Sequence, residues 1–280
     1  MGRIGFYFIS IILLLLGASA CGLLTGPDDE VAKDPREYTW TVDTLAFGPQ
    51  TAMERIWGSS PTDVYVVGHN AKMVQGKMFH FDGDKWDMVE LSTSYGGHIS
   101  GYFDLSSVYG FASDDVWAVG ERVYDNPEPP PNWLDSTLII HYDGAVWQEA
   151  VTPPGRGITA IGGSGPQDIW AGGLYGTLLH YDGNAWTPDS IPLVDAHDPD
   201  QFSYFNLFTG HRADDLYGFY YWADDDGNWL LHYDGESWSL LKTLWSVVWR
   251  DIWLSPSGRL YSVGGGNISL WRDGSWERVL

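Results

Sequence analysis

Four of the eight histidines, His80, His141, His180 and His232, open one short motif, His-Phe/Tyr-Asp-Gly, with a tryptophan three residues after the glycine. Imidazole and carboxylate groups bind metals and move protons, so the motif invites a catalytic reading. Its repetition argues against one. Each histidine belongs to its own copy of a recurring unit, so the four point into different sectors and do not converge on one ion. They are expected to be hydrogen-bonded beside their turns and to maintain the repeat. His69, His98 and His197 lie between motifs, without H-x-x-x-H or comparable metal spacing. There is no G-x-S-x-G elbow, and the one cysteine, Cys21, lies near the N-terminus. The arginines are too few and scattered to propose a substrate-carboxylate clamp. No catalytic residue is assigned and an enzyme is not expected. The alternative, a glycan-active hydrolase or lyase, would need loop carboxylates paired in space.

A second motif alternates with the first. RIWGSSPTDVYVVG, ending at Gly68, returns as VYGFASDDVWAVG ending at Gly120 and IGGSGPQDIWAGG ending at Gly173. It returns again as FTGHRADDLYGF, ending at Phe219, and IWLSPSGRLYSVG, ending at Gly264. The turn aspartates are Asp63, Asp115, Asp168 and Asp215, with Arg259 in the fifth copy, at spacings of 52, 53 and 47 residues between the aspartates. That is the size of a propeller blade. Each copy reads as four short strands, and Asp-Gly between the third and fourth suits a tight turn with positive φ. The expected fold class is therefore all-β: a five-bladed β-propeller of four-stranded antiparallel blades. Residues 37–45 read as a surplus strand, expected beside the last blade near residues 276–280, where it would help close the ring.

The two motifs resemble those of secreted bacterial β-propellers, W-G-S/T-S-x-x-D-V-W/Y-A-V-G and L-x-H-Y/F-D-G-x-x-W. They are loosely similar to Asp-box propellers of the sialidase kind, whose turn carries S-x-D-x-G-x-x-W; here Asp and Gly are adjacent. The resemblance covers residues 38–280 and implies architecture only, since such repeats serve many functions.

In an up-and-down blade the 1–2 and 3–4 turns share one face of the disc, and the 2–3 and 4–1 loops share the other. The long insertions, residues 92–103, 121–136, 190–204 and 221–229, all fall in 2–3 or 4–1 loops. Loops carry function more often than scaffold turns. Candidate ligand-binding residues on that face are Tyr95, His98, Tyr124, Asp125, Trp133, His197, Asp198, Trp222, Asp224 and Trp229. The aromatics would stack on sugar rings or apolar side chains, and the acids would hold Ca²⁺ or a cationic group. No cofactor is assigned beyond that weak Ca²⁺ signal, carried by residues 224–228. A polar residue also stands two positions before the apolar anchor of each innermost strand: Glu54, Ser106, Thr159, Asn206 and Arg250. These five are expected to ring the axial channel, with Glu54 and Arg250 paired where the disc closes.

The first 20 residues read as a signal peptide, with Arg3, an apolar run over residues 4–16 and small residues before Cys21. The junction resembles a bacterial lipobox, which implies that the Cys21 thiol is acylated. Residues 21–37 then form a polar tether and residues 38–280 the propeller. The formal charge is −22, with 37 acidic side chains against 15 basic ones. Nucleic acid and anionic headgroups are thereby disfavoured, leaving membrane contact to the anchor alone. The expected role is a lipid-anchored binding module at the outer membrane or cell surface, for an envelope protein or a polysaccharide. A passive scaffold in an outer-membrane complex is the further alternative.

Overall fold

A computed structural model of the chain describes residues 51–70, 77–125, 133–195, 201–223, 227–245 and 249–279, with Val42, Leu45 and Gln75. The signal peptide, Cys21, the tether and, apart from Val42 and Leu45, the surplus strand at 37–45 lie outside the described residues. Twenty strands form five antiparallel four-stranded blades, each with its strands in chain order. Blade 1 comprises β1 (Thr51–Ser60), β2 (Asp63–Asn70), β3 (Met78–Phe81) and β4 (Trp86–Met88). Blade 2 comprises β5 (Tyr102–Ala112), β6 (Asp115–Asp125), β7 (Trp133–Tyr142) and β8 (Trp147–Glu149). Blade 3 comprises β9 (Ile158–Gly165), β10 (Asp168–Gly173), β11 (Leu178–Tyr181) and β12 (Trp186–Pro188). Blade 4 comprises β13 (Ser203–Arg212), β14 (Asp215–Trp222), β15 (Gly227–Tyr233) and β16 (Trp238–Trp245). Blade 5 comprises β17 (Trp249–Leu254), β18 (Leu260–Gly264), β19 (Asn267–Arg272) and β20 (Ser275–Arg278). The five blades stand in a ring, and the chain is a five-bladed β-propeller.

The repeated aspartates each have a local task. In the 3–4 turn of blade 1, Asp82 Oδ1 accepts the backbone N–H groups of Asp84 and Lys85, both at 2.9 Å. Asp143, Asp182 and Asp234 do the same in blades 2 to 4. These backbone donors hold all four carboxyls below the ordinary carboxylate range. At the other repeated aspartate, Oδ1 meets a histidine Nε2: Asp63–His80 at 2.6 Å, Asp115–His141 at 2.8 Å, Asp168–His180 at 2.7 Å and Asp215–His232 at 3.0 Å. An aromatic ring of the second strand lies over each imidazole, as Trp117 does over His141 at 3.9 Å. The histidines are thus tied inside their own blades, as the repetition implied. Blade 5 has Arg259 and Trp271 at these positions and uses instead the Ser255 hydroxyl, which accepts from Arg259 N at 2.9 Å.

A third feature recurs in all five blades: a one-residue bulge near the start of the innermost strand. Met53 pairs with Gly68 and Arg55 with Val67, so Glu54 has no cross-strand partner. Ser106, Thr159, Asn206 and Arg250 are left unpaired in the same way. The strand turns at this point, and in blades 1 to 3 the backbone of the innermost strand comes so near strand two that a side chain does not fit there. A Cβ on Gly68 would lie 1.9 Å from Ala52 O, on Gly120 1.9 Å from Asp104 O, and on Gly173 2.1 Å from Gly157 O. In blade 4 the corresponding residue is Tyr220, one position beyond the Phe219 at which the sequence repeat fades. Its ring is buried and its hydroxyl donates to Ser203 Oγ at 2.7 Å.

Apolar side chains fill the junctions between blades 1 and 2, 2 and 3, 3 and 4, and 4 and 5. The anchor that each innermost strand turns toward the preceding blade is 5% exposed at Val108 and 4% exposed at Ile161, Phe208 and Ile252. Its counterpart Ile56 is 67% exposed, and Trp253 on blade 5 is 56% exposed. Among the described residues no apolar cluster spans blades 5 and 1.

Two consequences follow for stability. Gly120→Ala is expected to cost more than about 2 kcal/mol, because a β-carbon meets backbone rather than a flexible side chain. Gly165→Ala, whose β-carbon meets nothing within 4 Å, should stay within about 0.5 kcal/mol of the parent by urea unfolding. The four turn carboxyls lie below their ordinary value of 3.8 in the folded protein. Their stabilisation is therefore present above the unfolded value and lost as pH falls through the folded one. Replacing all four by Asn keeps a turn acceptor but removes the titration, and should flatten the decline of the urea midpoint below about pH 4.

Candidate functional site

Four of the five unpaired bulge residues meet at one place. Glu54, Ser106, Thr159 and Asn206 line a cavity of about 410 Å³, together with Arg55, Leu174, Phe202, Tyr204 and Phe205. They stand near the starts of the innermost strands, and Leu174 and Phe202 belong to a 2–3 and a 4–1 connection. The cavity is therefore the mouth of the axial channel on the loop face. Arg250, the fifth ring residue, lies instead beside a cavity of about 560 Å³ formed with the hairpin Gly264–Ile268.

Arg55 organises the mouth. Its Nη2 donates to Asn206 O at 3.0 Å and to Asn206 Oδ1 at 2.7 Å, spanning the channel from blade 1 to blade 4. The Glu54–Arg250 pair expected at closure is not formed. Glu54 Oε1 lies 3.1 Å from His69 Nδ1 on the adjacent strand, and Arg250 makes no ion pair among the described residues. Local partners are reached without bridging the open fifth junction, and that is why they prevail. Thr159 Oγ1 donates to Phe205 O at 2.5 Å, joining blades 3 and 4. By contrast, the Ser106 hydroxyl, the Tyr204 hydroxyl and the second oxygen of Glu54 make no hydrogen bond to the described residues. Burial raises the Tyr204 phenol, with Tyr221 adding to the shift and Arg55 and Arg250 opposing it. Asp251, on the adjoining strand, is exposed by area, yet the protein around it raises its carboxyl against the pull of Arg55.

An aromatic corner adjoins the cavity through Phe202. Tyr175 N donates to Ser203 O at 2.8 Å, which ties the β10–β11 turn of blade 3 to the start of β13. Tyr175 occupies the left-handed region at φ 53° and Gly176 follows at φ 76°, so the turn aims the phenol ring at blade 4. Its ring meets Phe202 edge to face at 6.0 Å and 85°. Phe202 then approaches Tyr204 at 5.7 Å, and Tyr204 approaches Tyr221 at 5.0 Å. Tyr175 is 39% and Phe202 46% exposed.

The sequence-derived loop residues are distributed differently. Trp222 and Trp229 are not surface groups: they are buried, stacked on each other at 6.0 Å, and belong to the core between blades 3 and 4. Strands β14 and β15 continue farther than the loop boundaries at 221–229 implied, carrying both rings into the blade. Tyr95 and His98 are exposed in the connection before β5, away from the cavity lining. Tyr124, Asp125 and Trp133 lie on the extended β6–β7 ladder, where Asp125 faces Trp133; their side chains are outside the described structure. His197, Asp198 and Asp224, and with them the possible Ca²⁺ ligands, also lie outside it. Among the described residues no group of three His, Cys, Asp or Glu side chains is arranged to hold a metal. Arg55, Phe202 and Tyr175 escaped sequence reasoning; the signal available was their position beside the ring residue or in a connection of the loop face. A further cavity of about 530 Å³ between blades 2 and 3 is lined by repeat residues such as Trp117, His141 and Trp186. There His141 is tied to Asp115 and Asp143 caps its own turn.

The class defined by this architecture is the β-propeller, and comparison with known structures agrees. Virginiamycin B lyase from Staphylococcus aureus is similar with a TM-score of 0.55 and 14% identity, over 82% of this chain and 70% of that one. The extracellular domain of a putative hybrid two-component system from B. thetaiotaomicron gives 0.52 and 13%, over 80% and 29%. YCF48 bound to D1 peptide gives 0.50 and 16%, over 85% and 74%. These likenesses concern the fold alone. In sequence, the immune protein Tsi7 of Pseudomonas aeruginosa is 26% identical over 151 residues, 48% of this chain and 45% of Tsi7. The chain thus spans less than half the length of that curated relative. No family model matches the chain.

Arg55→Ala should destabilise the propeller by about 1–3 kcal/mol, because it removes a charge-assisted pair of bonds across the channel. Arg55→Lys keeps the charge but not the planar fork, and is expected to recover less than half of that loss in thermal unfolding.

Proposed function

We propose that the chain is an exported binding module, held at the bacterial envelope through acylated Cys21, that takes its ligand at the axial mouth on the loop face. One observation carries the proposal. Polar atoms of Glu54, Ser106 and Tyr204 that have no hydrogen-bond partner among the described residues share a cavity with the half-exposed ring of Phe202, which Tyr175 meets edge to face. Concave sites with a few convergent polar groups in an apolar surround are the usual form of ligand sites. Rigid strands position the polar groups, and connections supply the rings. The ligand is an envelope protein or a polysaccharide. The signal peptide and lipobox-like junction support export and anchoring. The likeness to extracellular domains of bacterial proteins and to a peptide-bound YCF48 is consistent with an extracytoplasmic binder. Glu54 is the one carboxylate among the lining residues, which favours binding over the paired-carboxylate chemistry of glycan hydrolysis.

The test is photo-crosslinking in native envelopes, with a diazirine amino acid placed at Phe202 in one variant and at Asn184, an exposed turn-face residue, in another. Adducts from position 202 and not from 184 are the expected result. Adducts confined to 184, or none at 202 in a correctly localised chain, would overturn the assignment of the loop face.

A further inference from the structure

Resting on that reading of the mouth, the geometry points to a ligand class: the neutral end of a saccharide chain, one or two sugar rings deep. Charge is the first consideration. Arg55 is the cation among the lining residues, and its guanidinium is committed to Asn206 O and Oδ1. Arg250 lines the other cavity, from which its charge still reaches Tyr204, and Arg156 stands over the Tyr175 ring outside the lining. An anionic terminus would therefore enter a mouth that carries the Glu54 carboxylate, only one oxygen of which meets His69, on a chain of net charge −22. The groups left over suit hydroxyls instead. Glu54 offers a free acceptor oxygen, while Ser106 and Tyr204 offer hydroxyls that both donate and accept.

Shape is the second consideration. Phe202 and Tyr175 meet at 85°, making a corner in which one ring underlies the C–H face of a pyranose and the other flanks it. The volume of about 410 Å³ falls in the lower part of the ~300–1,000 Å³ range of small-ligand pockets, which suits one or two rings. An extended peptide fits less well. Peptides commonly bind by adding a strand to a free sheet edge. Here the edge of each innermost strand facing the channel is interrupted by a bulge at the ring residue, and a bulge ends regular pairing.

The experiment uses the full chain in detergent, titrated by saturation-transfer NMR and calorimetry. The probes are neutral and N-acetylated mono- to tetrasaccharides of gluco, galacto and manno configuration, their uronate-terminated counterparts, and a set of extended decapeptides. At least one neutral saccharide should bind with its ring C–H protons saturated most. Phe202→Ala and Glu54→Gln should each weaken it by about tenfold or more, as central contacts do. Ser106→Ala, a conservative change, should weaken it about three- to tenfold, and Leu241→Ala on the outer strand β16 should leave it unchanged. Melting temperatures establish that the variants fold, and Ser106→Ala serves alone if Phe202→Ala does not. Binding confined to uronate-terminated sugars or to peptides would overturn the neutral-saccharide assignment, as would saccharide binding indifferent to all three mouth variants. Failure of every saccharide alongside specific crosslinking at position 202 would overturn the ligand class and leave the mouth standing. Failure of both would remove the mouth as well.

Discussion

The bulge at the start of each innermost strand is the constraint on which the rest of the structure hangs. Inserting one residue turns the strand and leaves that residue outside the ladder. Blade 4 admits Tyr220 on the strand that follows, whereas in blades 1 to 3 that strand passes within contact distance of the bulged backbone. Gly68, Gly120 and Gly173 satisfy this by having no β-carbon to collide with Ala52, Asp104 and Gly157. The glycine that ends the Val-Val-Gly type segments and the polar residue two places before the apolar anchor are thus two halves of one device. Being unpaired, the bulged residue is also the one free to project into the channel. A structural requirement of the blade supplies the polar lining of the site.

Within a blade, carboxylates do the fastening. Asp63 and its equivalents hold a histidine on the third strand, and Asp82 and its equivalents hold the turn between strands three and four. Between blades, apolar side chains fill the first four junctions, with polar contacts such as Lys77–Asp104 and Tyr109 to Gly163 O beside them. Among the described residues the last junction has no such cluster. There Ile56 and Trp253 stay open, and Arg55 reaches past blade 5 to Asn206 on blade 4. A charge-assisted bond from blade 1 to blade 4 resists opening of the ring but buries little apolar area, unlike the packing at the other four junctions. Blade 5 is also the blade without the histidine–aspartate tie.

The blades were legible in the sequence because their defining residues act locally. Asp-Gly needs only its own turn, and histidine meets aspartate within one blade, so both recur at fixed spacing whatever lies next door. The bulged positions recur for the same reason, since a bulge keeps its register from copy to copy. Contacts between distant segments were not legible. Nothing in the spacing distinguishes Arg55, which crosses to Asn206, from an outward-facing arginine, and His69 competes successfully for Glu54 through strand adjacency. Trp222 and Trp229 misled because aromatics beside Asp-Asp-Asp-Gly look like loop groups. They lie where β14 and β15 are still paired, and burial of two indoles outweighs the polar context. Tyr175 was obscured in the opposite way: it stands in a short hairpin, where a left-handed tyrosine is uncommon, and only the bond from its N–H to Ser203 shows what that conformation is for.

The two faces of the disc differ most in what their polar atoms are already doing. On the turn face the repeated carboxylates and imidazoles are matched to partners in their own blade, and a ligand there would have to displace bonds that stabilise the fold. At the loop-face mouth Arg55, Asn206 and Thr159 are matched across blades, and they form a fixed frame around Glu54, Ser106 and Tyr204, whose remaining valences meet no group among the described residues. Water can fill such valences, and a ligand that replaces it recovers their hydrogen bonds without breaking any within the protein. The free energy of binding is then not set against the free energy of folding. That separation, rather than the density of aromatic or acidic residues, is what supports the proposed mouth over the turn face, whose repeats are occupied in holding the propeller together.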